Sequence, residues 1–138
     1  MKRIAMATLA AGIWINLSEF LRNELLFKQH WITQYEALGL EFPSSPINDA
    51  LWGLWGFLFA GCIVAVRRRT TFLRTMTLCW TMGFVLMWIA IGNLKVLPLG
   101  LLPVAAPWSL AEVALAVMIA QAIMRNPKAE PETGGRRR

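Results

Sequence analysis

Two glutamates, Glu19 and Glu112, stand inside otherwise apolar stretches of this 138-residue sequence. An Asp, Lys or Arg near the centre of a membrane helix costs about 2.5–3.5 kcal/mol on insertion scales, and intramembrane carboxylates are rare for the same reason. One that persists has a partner or a task. Asn16 lies one turn deeper than Glu19, and Asn93 stands near the end of the third apolar stretch. Together, Glu19, Glu112, Asn16 and Asn93 form a candidate ligand-binding group. The glutamates are its acidic or proton-exchanging members and the asparagines its hydrogen-bond partners. The chemistry that suits such a set is binding of a cation or a small polar solute.

Each residue also has a plainer reading. Glu19 is spaced i, i+3 from Arg22, which fits an ion pair on one helix. Ser109-Leu-Ala-Glu112 before an apolar run matches a capping box, and would put Glu112 at a helix rim. Asp49 in the first turn of a helix complements its macrodipole.

Other reactive side chains are sparse. Cys62 and Cys79 lie five residues from Arg67 and Arg74, at matching depth on adjacent spans. They form no Cys-x-x-Cys pair and read as small buried residues. His30 is the only histidine, too isolated for a zinc site. With no nucleotide-binding glycine loop, nucleophile elbow or zinc motif, the sequence points away from an enzyme and implies neither cofactor nor metal.

The elements that position these residues follow from composition. Hydrophobic residues make up 57% of the chain and charged ones 16%, more apolar than a soluble domain of this size needs. That excludes a disordered chain and a soluble nucleic-acid binder. Two cysteines exclude a disulfide scaffold. A bilayer core needs about 20 helical residues, and inside it each backbone polar group must find an internal partner. The charge-free runs therefore predict an all-α four-helix membrane bundle over residues 1–125, with spans about 4–25, 47–67, 71–94 and 104–125. Met1-Lys2-Arg3 and the apolar run behind it resemble a signal peptide but lack a small-x-small cleavage site, so an uncleaved first helix is expected.

The net charge is +6, and its distribution sets an orientation. Eleven of the fourteen basic residues fall near the N-terminus, in the connection Arg67–Arg74 and in the tail; only Arg22, Lys28 and Lys95 lie on the alternate flanks. By the positive-inside rule both termini are cytoplasmic, in a membrane of the bacterial inner type. Glu19 then lies about 6–8 Å, and Glu112 about 9 Å, inside the outer boundary at about 1.5 Å per residue.

The connections differ in character. Trp31, Tyr35 and Leu38 share one helical face, which predicts a short interfacial helix in the first external loop, ended by Gly39. Ser45 and Pro46 read as the N-cap and first residue of span two. Pro98, Gly100, Pro103 and Pro107 predict a broken segment over 95–107. Residues 126–138 read as a disordered basic cytoplasmic tail. Gly53, Gly56 and Ala60 form a small-residue stripe suited to close helix contact, and so to a second copy or a membrane-protein partner. The bilayer itself is the other partner implied; nucleic acid is not.

Overall fold

The computed structural model describes residues 1–125; the expected tail, 126–138, lies outside the described residues. The described chain is all helical, and four of its helices are long and apolar enough to cross a membrane. They are α1 (Lys2–Leu26), α3 (Pro46–Arg67), α4 (Phe72–Asn93) and α5 (Leu99–Met124), with a shorter α2 (Lys28–Ala37) between the first two. The chain is an integral membrane protein in its architecture. α1 packs chiefly on α3 and α5, α4 closes the ring against α3 and α5, and α1 and α4 stand on the diagonal.

The packing follows an inside-out rule. Leu54, Leu58, Leu78, Met82, Leu86 and Met118 are exposed on the outside of the bundle. Inside lie Ala7, Ala11, Ala60, Ala116 and Ala120, all fully buried. Lipid is as apolar as leucine, so large side chains gain little by turning inward, whereas small ones let backbones approach. The remaining interior is filled by Ile15, Ile63, Phe59, Phe84 and Val117.

One end of the bundle gathers both ends of the described chain. Arg3 donates to the Arg125 carbonyl at 2.8 Å. Arg67 donates to the Gln121 side chain at 2.8 Å and to the Thr70 carbonyl, tying the α3–α4 turn to α5. Thr71 caps α4 by accepting from the Arg74 N–H. At the other end, α2 is closed by Gly39, whose φ of +70° suits a residue without Cβ. Gln34 of α2 donates to the Lys95 carbonyl at 2.7 Å, so α2 is fastened to the α4–α5 connection. Ser45 and Pro46 open α3 as expected, although the Ser45 side chain makes no capping bond.

The fourth span departs from expectation at its start. The helix is under way by Leu102, with a 3-10 turn from Leu99, and Pro107 sits inside it. Only residues 94–98 remain as a connection, so no broken segment reaches Pro107. Pro103 falls at the helix start, where its missing N–H costs nothing. Two further departures matter for function. α1 widens into a π-helical turn at Leu21–Leu26, and α4 does the same at Thr81–Val85. Such turns rotate side chains out of the regular register and recur at functional sites.

Candidate functional site

Ala7, Ala11, Ile15, Ser18 and Arg22 follow one another at helical spacing along α1, and all are buried. The upper part of this inward stripe is polar. Arg22 is 5% exposed and its guanidinium donates to Glu19 at 2.5 Å. Asn23 donates to the other Glu19 oxygen at 2.7 Å. The guanidinium also lies 5.5 Å from the centre of the Phe84 ring on α4. Arg22 and Phe84 each sit in one of the two π-helical turns. The local widening of both helices thus produces a cation–π contact across the diagonal of the bundle.

Glu112 meets this cluster from α5. It is 2% exposed, and its Oε2 accepts from the Ser18 hydroxyl at 2.5 Å. Trp108 donates in turn to the Ser18 oxygen at 3.0 Å, and Trp14 donates to the Glu112 backbone carbonyl at 3.0 Å. The Glu19 and Glu112 carboxyl groups lie within hydrogen-bonding reach of each other. Among the described residues two buried side-chain polar atoms have no partner: Glu112 Oε1 and Arg22 Nη1.

The capping-box reading of Glu112 is overturned. Ser109 is fully buried well inside α5. It donates to the Ala106 carbonyl and accepts from Trp80 at 2.9 Å. Glu112 therefore projects from the body of a helix into the bundle.

Asn16 occupies the base of the cluster but is already engaged. Its amide donates to the carbonyls of Gly12 at 2.8 Å and Gly53 at 3.3 Å. A Cβ at Gly56 would lie 2.5 Å from Asn16 Nδ2. The small-residue stripe is thus consumed inside the chain: Gly56 makes room for Asn16, and Ala60 is fully buried. Asn93 stands apart from this cluster. It is exposed at the end of α4 and lines neither cavity of the bundle described below.

Above Asn16 and beside the Glu19–Arg22 pair, the helices part to leave a cavity of about 560 Å³. Its inner wall carries Asn16, Glu19, Arg22 and Asn23, while Asp49 and Asn48 stand at the start of α3. The remaining walls are apolar and strongly aromatic, with Phe27, Trp31, Tyr35, Trp52 and Trp88 prominent. Helix α2 supplies Trp31 and Tyr35, so the first connection builds part of the cavity. A second, smaller hollow of about 300 Å³ lies between α1 and α5, where Ser18, Glu112, Trp14 and Trp108 meet Leu17 and Leu21. Glu19 borders the first space and Glu112 the second. Leu17 lines both.

The i, i+3 spacing marks Arg22 as an ion-pair partner of Glu19 but not as a member of the candidate group, and Ser18, Asn23 and Trp108 are not marked at all. A signal for Arg22 and Ser18 was nonetheless present: 15, 18 and 22 continue the i, i+3, i+4 stripe begun by Ala7 and Ala11. Cys79 is buried and Cys62 exposed, and both are free thiols. His30 is exposed and meets only the edge of Phe27. Among the described residues no group of three or more His, Cys, Asp or Glu side chains is arranged to hold a metal ion.

No protein-family model matches the sequence, and no curated protein or solved structure matches it significantly. The functional reading rests on the site itself.

Proposed function

We propose that this is a multi-pass protein of a bacterial-type inner membrane that binds or transports a small solute or cation through an outward-facing pocket. Both termini and the Arg67–Arg74 turn are cytoplasmic in this reading, because that end collects the basic residues. The opposite end carries Glu19, Glu24, Glu36, Glu41, Asp49 and Glu112 against Arg22, Lys28 and Lys95, a balance of −3 that favours cations. Helix α2 lies at the outer interface, where its Trp31 and Tyr35 combine an apolar body with a polar edge.

The observation that carries the reading is the 560 Å³ cavity with the Glu19–Arg22–Asn23 cluster on its inner wall. Its size falls within the usual range for small-molecule sites, and apolar walls with a few convergent polar groups are their usual lining. Aromatic faces and carboxylates together suit a solute with an apolar body and a cationic or hydrogen-bonding head.

The test is purified protein in liposomes, comparing wild type with Glu19→Gln and Glu112→Gln for binding and proton-coupled uptake of small organic cations. An altered profile in either variant supports the pocket. Identical profiles in all three proteins reject it.

A further inference from the structure

The cluster between the two cavities holds a charge that its protein partners do not balance. Glu19 and Glu112 contribute two carboxylates and Arg22 one guanidinium, all within a bundle that lipid surrounds. Among the described residues no other element supplies the missing positive charge. From α1 come Glu19 and Arg22, with Ser18 and Asn23 as neutral donors, while Glu24 on the same pocket wall is paired with Lys28 at 2.6 Å. From α5 comes Glu112 alone. α4 presents the apolar rings of Phe84 and Trp88, and α3 presents Asp49 only at its first turn. A buried uncompensated charge of this kind is neutralised by whatever positive species fits.

The orphaned atoms say which species that is. Glu112 Oε1 is enclosed and without a donor, while Oε2 already accepts from Ser18. A hard metal ion takes about six or more oxygen ligands for calcium or magnesium, and this enclosed pair offers far fewer. A proton needs only one donor oxygen and one acceptor oxygen, and the adjoining Glu19 carboxyl supplies the second.

We infer that Glu19 and Glu112 share one proton, and that a cationic group entering the pocket beside Glu19 replaces it. The second half rests on the pocket reading; the first does not. The exchange balances. Before it, two carboxyl groups, one proton and one guanidinium sum to zero. After it, two carboxylates, the guanidinium and the bound cation again sum to zero, and the proton leaves through the pocket to solvent. A neutral water bridging Arg22 Nη1 to Glu112 Oε1 would satisfy both orphans but leave the negative charge in place.

Infrared spectroscopy at neutral pH separates these cases. The wild type is expected to show the C=O stretching band of a protonated carboxylic acid, shifted in heavy water. Glu19→Gln and Glu112→Gln should each abolish it, since either leaves one carboxylate opposite Arg22. Asp49→Asn should keep it, and Ser18→Ala should move its frequency by removing the donor to Glu112. Absence of the band in wild type, or its survival in both glutamine variants, overturns the shared proton whatever the variants' stability. Phenethylammonium added to weakly buffered wild type should release one proton per cation bound, and none in Glu112→Gln. Binding without release overturns the exchange. A band without any cation binding leaves the shared proton standing and removes the pocket reading.

Discussion

The Ser18 hydroxyl donates to Glu112 Oε2 across 2.5 Å, joining α1 to α5 through a bond buried in the bundle. The same oxygen accepts from Trp108 Nε1, so one hydroxyl serves two partners on the neighbouring helix. Ser18→Ala leaves both without it. Unsatisfied buried polar groups cost about 1–3 kcal/mol, and the expected result is a loss of that size in detergent unfolding. Ser18→Thr, which keeps the hydroxyl, should lose clearly less. Equal stability of Ser18→Ala and wild type would mean the bond carries no energy.

Asn16 and Gly56 make a second test, of packing rather than charge. An alanine at 56 drives the Asn16 amide from the Gly12 and Gly53 carbonyls, because its Cβ would sit 2.5 Å from Nδ2. Overpacking of this kind costs about 1–3 kcal/mol. Asn16→Ala alone removes interhelical bonding worth on average about 0.6 kcal/mol in membrane proteins. Combining the two should recover much of the Gly56→Ala loss, since the clashing group is gone. A double-mutant cycle with no coupling between the sites would contradict the geometry.

Among the described residues Arg22 is the only basic side chain in the buried cluster. Arg22→Met leaves Glu19 and Glu112 without a counter-charge, and breaking a buried pair in this way costs about 3–5 kcal/mol. The penalty falls on the ionised form, so it should be largest at neutral pH and shrink as the medium is acidified and the carboxyls take up protons. Adding Glu19→Gln should restore most of the stability at neutral pH. Thermal unfolding across pH provides the check; a loss independent of pH, or no rescue, would assign Arg22 a packing role alone.

The orientation is open to direct labelling. With Cys62→Ala and Cys79→Ala as background, a cysteine at Glu41 should react with an impermeant maleimide in intact cells. One at Arg69 should react only after the membrane is opened. The reverse pattern would turn the pocket toward the cytoplasm.

Much of this arrangement was legible in the residues. Long charge-free runs leave the backbone no option inside lipid but helix, so the four spans begin and end close to where those runs do. Glu19 and Glu112 were legible as exceptions within such runs. Their common depth followed from counting residues, but their convergence did not. The π-helical turns that swing Arg22 toward Phe84 leave no periodic mark, because a single wide turn hardly disturbs an apolar stripe. The same holds for Asn93: its depth along α4 was readable, the direction of its side chain was not. The broken segment expected over 95–107 gives way to helix from Leu102, with Pro107 inside it. Pro107 lies in the early turns of α5, where its missing N–H frees only the Pro103 carbonyl at the helix start. Gly53, Gly56 and Ala60 were recognisable as a contact face, yet spacing alone does not distinguish a helix of the same chain from a helix of another.

The decisive property of the pocket is selection of positive charge on an apolar body. Calorimetric titration of the purified protein with phenethylammonium, phenethyl alcohol and phenylacetate holds size and ring constant while changing the head group. The cation should bind most tightly and the anion least, and Glu19→Gln should weaken the cation by about tenfold, equivalent to about 1.4 kcal/mol. Equal affinity for all three, or a Glu19→Gln protein that binds the cation as well as wild type does, would contradict it.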